Sequence, residues 1–149
     1  MGVETGGGRK PRQMTLMTYG SRGDVAPFAA LGAALQQRGH SVRLAAPQGF
    51  APLAERCGLE FVPLAGDPED LSREFADQAG GSWLRMVKGM MAHVLPLARG
   101  VFDQLQKAAQ GADIIVHSFL MTDAGHTLAR RQGIPDVSAQ LFPVFLPTR

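Results

Sequence analysis

A run of small, polar and charged residues near the N-terminus has the composition of a ligand-binding loop: Gly20, Ser21, Arg22, Gly23 and Asp24. It lies between a short apolar stretch and a helical pattern, where two glycines allow the backbone to turn tightly and approach a ligand. The run lacks the three glycines of the G-x-G-x-x-G dinucleotide fingerprint, and the chain contains no G-x-x-x-x-G-K-[ST] phosphate loop. These absences disfavour nicotinamide and ATP as ligands.

Asp24 has two competing interpretations. An aspartate at a helix start can be the N-cap, and Pro27 in the same turn would forfeit only a donor that has no partner there. A carboxylate at the mouth of a crevice can also act as general base on a substrate hydroxyl. The two roles are compatible only if one side-chain oxygen stays free. Residues 22–24 also spell an adhesion tripeptide, which an expected position inside a crevice argues against.

Candidate ligand contacts lie at two further places. His117 and Ser118 end the fourth predicted strand and could face Asp24 across the site, although a structural role for His117 is equally open. Trp83 and Met90 belong to a long apolar stripe of helical spacing. Methionine adapts to varied ligand shapes, so the stripe could line a pocket, but plain core packing also explains it. The spacing of histidines and Cys57 indicates no metal site.

Elements that alternate between strand and helix must position these residues. Short apolar runs predict strands at residues 14–19, 42–46, 60–64, 114–117 and 137–140. Helical patterns separate the strands. Phe28, Leu31, Gly32 and Leu35 form one helix face, and Pro96 is expected to kink or split the long helix. This alternation predicts an α/β fold, a doubly wound, Rossmann-like parallel sheet with strands 1 and 4 side by side in the middle. The default ligand site is the crevice above their carboxyl ends.

The composition is that of one globular domain. The 149 residues are 45% hydrophobic and 19% charged, with a net charge of +2 and no basic stripe that would indicate a nucleic acid partner. The single cysteine, Cys57, is interpreted as a small buried hydrophobe. The sequence shows no membrane span and no signal peptide, which predicts a cytoplasmic protein. Residues 1–13 are expected to form a flexible leader, and residues 14–149 to form the domain.

Extended motifs carry a resemblance to a known family. The run from Gly20 to Val25 with Pro27 and Phe28, followed later by the pattern G-L-E-F-x-P-L-x-G-D-P from Gly58 to Pro68, resembles sterol 3-beta-glucosyltransferases. Antibiotic glycosyltransferases of glycopeptides and macrolides share much of it. The similarity spans nearly everything after residue 13. The chain thus resembles the N-terminal, acceptor-binding domain of glycosyltransferases with the two-domain GT-B fold.

The resemblance implies an inverting, metal-independent transfer of a sugar to a hydroxyl. It maps the proposed base onto Asp24, with the loop Gly20, Ser21, Arg22 and Gly23 shaping the site. His117, Ser118, Trp83, Met90 and Phe142 are then the candidate contacts of a small hydrophobic alcohol, such as a sterol, a polyketide or a lipid. No cofactor is expected. The co-substrate is a nucleotide-sugar, which such enzymes bind mainly on a C-terminal domain.

The length of the chain bears on its activity. The family's N-terminal domain normally continues beyond the fifth strand, so we expect a truncated acceptor half that lacks the donor-binding domain and is inactive by itself. The alternative is a non-catalytic module that binds a ligand or docks a separate donor-binding chain. The partners expected are an apolar alcohol and a donor-binding domain or chain, with no nucleic acid, no transmembrane segment and a peripheral membrane contact left open.

Overall fold

The computed structural model describes residues 10–67, 73 and 83–141. These residues form a five-stranded parallel sheet with the order β3-β2-β1-β4-β5. The strands are β1 (Gln13–Met17), β2 (Ser41–Pro47), β3 (Glu60–Leu64), β4 (Ile114–His117) and β5 (Asp136–Ser138). The helices are α1 (Arg22–Gln37), α2 (Ala51–Arg56), α3 (Trp83–Ala108) and α4 (Thr122–Gln132), with 3₁₀ turns at Gln48–Phe50 and Phe119–Met121. The α/β prediction, including β1 beside β4, is confirmed.

The core explains why the central strands are almost continuously apolar. Leu16 and Leu44 belong to a buried cluster that α1 and α2 cover on one face of the sheet. Met17 and Ile115 belong to a second cluster, which α3 and α4 cover on the other face. Because successive side chains of a strand point to opposite faces, a strand buried on both faces needs apolar residues at every position. Each fully buried Leu or Met contributes roughly 1.5–3 kcal/mol.

Helix α1 begins earlier than the sequence suggests. Its N-cap is Ser21, so the expectation of Asp24 as N-cap is wrong and the aspartate is the third residue of the helix. Pro27 therefore lies beyond the first turn, where it forfeits a regular hydrogen bond to the carbonyl four residues back. The predicted face is also partly wrong, since Leu31 is 36% exposed. The buried residues of this helix are instead Val25, Phe28, Ala29 and Gly32.

The other elements follow the predictions more closely. Helix α3 continues through Pro96 as one helix of 26 residues, so the predicted split does not occur. Helix α4 lies between β4 and β5, as the alternation predicts, and is capped by Gly133 in the left-handed conformation, at φ 66°. Strand β5 begins one residue before its predicted start and ends two residues early, because its pairing with β4 stops at His117 and Ser138. Cys57 is only half-buried.

Several predictions fall on residues outside the described ranges. They concern most of the leader at residues 1–13 and the tail that contains Phe142. Trp83 and Met90 lie on α3, but their side chains are outside the description. Within the residues that are described, no helix has both the length and the apolar character needed to cross a membrane.

Candidate functional site

The carboxyl ends of β1 and β4 form one small pocket, as the parallel topology predicts. The chain leaves β1 through Thr18, Tyr19 and Gly20 before α1 begins, and Ser118 follows β4 directly. The pocket has a volume of about 220 Å³. Its lining residues are Tyr19, Asp24, Ser118, Phe119, Leu120, Ala139, Gln140 and Leu141. Asp24 and Ser118, which the sequence indicated could face each other across the site, thus line the same pocket.

Asp24 uses one carboxylate oxygen to hold the start of α1. Its Oδ2 accepts hydrogen bonds from the backbone N–H of Ser21 at 2.8 Å and from the Ser21 hydroxyl at 2.9 Å. The bond to the backbone N–H of the N-cap is the carboxylate half of a capping box. Among the described residues, no hydrogen-bond donor contacts Oδ1. A role as general base requires that one oxygen of the carboxylate stays free. Within the described part of the chain, the half-buried Asp24 carboxylate meets this condition.

Gly20 allows the Asp24 carboxylate to take this position. Its φ of 140° is a conformation that residues with a side chain rarely adopt. A Cβ atom at Gly20 would also lie 2.4 Å from Oδ2 of Asp24, which is closer than any real contact. Gly23 differs, because it lies inside α1 and does not have a positive φ. Of the two glycines expected to be needed for the turn, the structure requires only Gly20.

The other residues of the loop lie around a second, more polar cavity. Gly20 and Ser21 line a space of about 590 Å³ together with residues of the loops that follow β2 and β3. Arg22 and Gly23 are exposed at the start of α1 and line neither this cavity nor the Asp24 pocket. Of the predicted loop residues, Gly20 and Ser21 therefore line the polar cavity, and Asp24 lines the smaller pocket.

His117 does not line the pocket of Asp24. Its side chain is 1% exposed, and its Nε2 lies 2.9 Å from Oδ2 of Asp136 at the start of β5. His126 on α4 also reaches this carboxylate, with its Nδ1 3.2 Å from Oδ1. The hydrogen bond from His117 holds the pKa of Asp136 below its ordinary 3.8. Partial burial acts in the opposite direction, whereas the hydrogen bond and charge of His126 lower the pKa further. His117 therefore ties β4 to β5 and α4.

Asp136 was not singled out from the sequence as a functional residue. The available signal was its position immediately before a predicted strand, beside a strand that ends in histidine. Strand order alone did not indicate which way the His117 ring would point. The contact became visible only once β4 and β5 were paired in register, with His117 opposite Ser138.

Ser118 lines the pocket of Asp24 and carries a buried hydroxyl. The residue is 7% exposed, and no described residue forms a hydrogen bond with its Oγ. A buried hydroxyl without a partner costs roughly 1–3 kcal/mol. Ser118 therefore belongs to the wall of the pocket, with its Oγ shielded from solvent.

Tyr19 is a pocket residue that the sequence analysis placed only at the end of a strand. Its phenol donates a hydrogen bond to the carbonyl of Ala65 at 3.0 Å. Burial, together with the negative charge of Asp67, raises the pKa of Tyr19 above its ordinary 10.0, so the phenol remains a donor at neutral pH. The only available signal was an aromatic residue immediately before the glycine-rich loop.

An apolar groove adjoins the pocket on the other side of Tyr19. Its volume is about 470 Å³, and most of its wall comes from α3 and α4. The lining residues are Tyr19, Leu97, Ala98, Val101, Phe102, Leu105, Leu120, Met121, Asp123, Ala124 and Thr127. Tyr19 and Leu120 line the groove and the Asp24 pocket alike. Within residues 10–67, 73 and 83–141, no group of three His, Cys, Asp or Glu side chains is arranged to hold a metal ion.

Sequence comparison bears out the resemblance inferred from the motifs. The model of the glycosyltransferase family 28 N-terminal domain matches residues 14–125. An O-mycaminosyltylonolide 6-deoxyallosyltransferase of Streptomyces fradiae is 36% identical over 110 residues, covering 71% of this chain and 26% of that enzyme. A sterol 3-beta-glucosyltransferase of Yarrowia lipolytica is 37% identical over 110 residues, covering 70% of this chain and 7% of that enzyme. The chain thus corresponds to about a quarter or less of these two relatives.

Solved structures of GT-B glycosyltransferases share the fold. A calicheamicin glycosyltransferase, CalG4, superposes with a TM-score of 0.72 at 19% identity, over 89% of this chain and 33% of that chain. The glycosyltransferase SnogD of Streptomyces nogalater gives a TM-score of 0.63 at 22% identity, over 90% of this chain and 35% of that chain. At such identities the similarity establishes the architecture alone, whereas the family match covers most of the sequence. The chain therefore belongs to the family of glycosyltransferase family 28 N-terminal domains.

Proposed function

We propose that this chain is the acceptor-binding half of an inverting, metal-independent glycosyltransferase, with Asp24 as the general base. The observation that carries the proposal is the placement of Asp24. One of its carboxylate oxygens holds the helix start, while the other accepts no hydrogen bond from the described residues in a pocket that Ser118 also lines. This is the arrangement that a base acting on a bound hydroxyl requires.

The proposed chemistry is a single displacement at the anomeric carbon of the sugar. Asp24 removes the proton of the acceptor hydroxyl as the hydroxyl oxygen bonds to that carbon. The bond between the sugar and the donor phosphate breaks on the opposite face, which inverts the configuration. An alcohol is a poor nucleophile, and a positioned general base contributes roughly 100- to 10,000-fold to the rate.

The lining of the pocket supports an apolar alcohol as the acceptor. Phe119, Leu120, Ala139 and Leu141 line the pocket together with the polar residues Tyr19, Asp24, Ser118 and Gln140. A mostly apolar site with a few placed polar groups is typical of small-molecule recognition. The names of the two relatives, an O-mycaminosyltylonolide 6-deoxyallosyltransferase and a sterol 3-beta-glucosyltransferase, support the proposal of a sterol, a polyketide or a lipid as acceptor class.

The donor is proposed to be a nucleotide-sugar held by a separate donor-binding domain or chain. The motivation is that this chain covers only 26% and 7% of the two relatives, which leaves most of their length without a counterpart here. Stabilisation of the departing phosphate then comes from outside this chain. We therefore expect the isolated 149-residue chain to transfer no sugar.

The test compares Asp24→Asn with wild type in a protein that carries this chain together with a donor-binding domain. Transfer from a panel of uridine and thymidine diphosphate sugars to a sterol and to a macrolide aglycone is followed by mass spectrometry. We expect Asp24→Asn to lower kcat by roughly 100- to 10,000-fold. Its unfolding midpoint should hardly change, because the remaining carbonyl oxygen can still accept the hydrogen bonds from Ser21.

Asp103→Asn is the matched control, since Asp103 is an exposed residue of α3 that lines none of the three cavities described above. A folded Asp24→Asn variant with wild-type kcat would show that the aspartate serves only to cap the helix. Tight binding of the acceptor without transfer in the larger protein would favour a non-catalytic binding module instead.

A further inference from the structure

Tyr19 lines two of the three cavities described above. It is the second residue after β1, and it lines both the Asp24 pocket and the apolar groove between α3 and α4. Leu120 is also shared, but it is 61% exposed. Tyr19 is therefore the less exposed of the two residues that the small pocket and the larger apolar space have in common.

The position of the Tyr19 side chain is fixed by the fold, because the loop that follows β3 binds its phenol. Its Oη donates to the carbonyl of Ala65, in the loop that follows β3. The next residue, Gly66, lies close to the same hydroxyl, since a Cβ atom there would be 2.5 Å from Oη. Gly66 also has a φ of 87°, which favours glycine. The loop after β3 thus fits around the phenol and keeps the ring in place.

The two cavities that Tyr19 lines differ in volume. The Asp24 pocket, at about 220 Å³, is smaller than the roughly 300–1,000 Å³ of typical small-molecule sites. The groove on the other side of Tyr19 adds about 470 Å³, and aliphatic and aromatic residues such as Leu97, Val101 and Phe102 form most of its wall. A lipid-like alcohol whose hydroxyl lies at Asp24 could extend its apolar body into this space only if the ring were absent or displaced.

We propose that Tyr19 is a specificity-determining residue, whose ring limits how far an apolar alcohol bound at Asp24 can extend toward α3 and α4. The proposal rests on the proposed function for the identity of the pocket as an acceptor site. It adds that the length of the acceptor is set by a single side chain on the loop after β1. Replacing the ring with a methyl group joins the pocket to the groove.

The test measures binding of straight-chain 1-alkanols of increasing length to the full 149-residue chain by isothermal titration calorimetry. Each buried methylene tightens binding by about fourfold, from about 0.8 kcal/mol per CH₂. For wild type we expect the affinity to rise with each methylene until the alkanol fills the pocket, and to stay constant, at a plateau, for longer alkanols. In Tyr19→Ala the plateau should move by about three methylenes, so that the longest alcohols bind roughly 60-fold tighter than to wild type.

Further variants distinguish the effect of the Tyr19 ring from the loss of its hydrogen bond and from changes in folding. Tyr19→Phe keeps the ring and loses the bond to Ala65, so the plateau should begin at the wild-type chain length. Tyr19→Leu retains apolar bulk in case Tyr19→Ala fails to fold, and its plateau should shift by fewer methylenes. Val137→Ala shortens a half-exposed apolar side chain that lines neither cavity, and the whole length profile should remain that of wild type. Circular dichroism verifies the fold of each variant.

The failure of this proposal is distinguishable from failure of the proposed function. Asp24→Asn should weaken all the alkanols by a similar factor without moving the plateau, since Asp24 contacts only the hydroxyl end. If the larger protein transfers no sugar but the plateau still moves in Tyr19→Ala, the size limit stands without the catalysis. If Tyr19→Ala and Tyr19→Leu both fold and keep the wild-type plateau, the proposal for Tyr19 is wrong even where Asp24 proves catalytic.

Discussion

Ser21 donates two hydrogen bonds to the same oxygen of Asp24, from its backbone N–H at 2.8 Å and from its hydroxyl at 2.9 Å. Both bonds converge on Oδ2, so the interaction orients the carboxylate and secures the first turn of α1. Oδ1 takes no part in it. Helix capping and the proposed base role therefore use different oxygens of one side chain, and the first can position the group for the second.

Ser21→Ala tests the structural part of this interaction. The variant loses the hydroxyl donor and the preferred N-cap residue, which we expect to lower the free energy of unfolding by about 1 kcal/mol. Urea denaturation followed by circular dichroism measures the change. Ser21→Thr keeps a hydroxyl and should retain most of the stability. Equal stability of Ser21→Ala and wild type would mean that the serine side chain contributes nothing to the helix start.

Gly20→Ala tests whether the carboxylate depends on the glycine before the helix. A methyl group there would lie in the space of Oδ2 and would force a strained φ. We expect a loss of about 1–3 kcal/mol in unfolding free energy. In the larger protein described above, transfer should also fall because the carboxylate is displaced. Thermal denaturation and the transfer assay measure the two effects.

Gly100→Ala is the control for that substitution. A Cβ atom at Gly100 meets no heavy atom within 4 Å, and the residue lies inside α3. Alanine should therefore stabilise the helix by roughly 0.5–1 kcal/mol. If both alanine variants gain stability, the close approach of Gly20 to Asp24 does not constrain the loop.

Asp136→Asn tests the contact between β4, β5 and α4. Because the folded-state pKa of Asp136 lies below its ordinary 3.8, the ionised carboxylate stabilises the fold. That stabilisation is fully present above the ordinary value and is lost as pH falls through the folded pKa. Wild type should thus exceed Asp136→Asn in unfolding free energy at pH 6, and the difference should shrink between about pH 5 and pH 2. Urea titrations at several pH values measure it, with Asp103→Asn as control.

The main elements of the fold could be predicted because their signals are local. A strand buried on both faces shows as a short apolar run, and each of the five predicted strands is found in the sheet. The predictions failed where the local sequence allowed two structural interpretations. Both Ser21 and Asp24 can be an N-cap, and only the backbone path shows that the helix begins at Arg22. Leu31 fits an apolar spacing, yet the face that contacts the sheet is set by the angle of the whole helix.

The candidate site was predictable in part. The topology of a parallel sheet brings the ends of β1 and β4 together, which correctly placed Asp24 near Ser118. It could not show that His117 contacts Asp136, because the direction of a side chain depends on what covers its face of the sheet. The position of Tyr19 before the glycine-rich loop did not indicate its contact with Ala65, which lies 46 residues away in the chain.

The sequence by itself determined the alternation of strands and helices, the order in which they meet, the glycine-rich loop and, through extended motifs, the family. Each of these depends on residues that are neighbours in the chain or on topology common to all such sheets. Only the tertiary structure decided which oxygen of Asp24 is used by Ser21, where His117 points, and that Tyr19 lines two cavities. These features depend on contacts between distant segments, whose positions follow from packing of the whole domain.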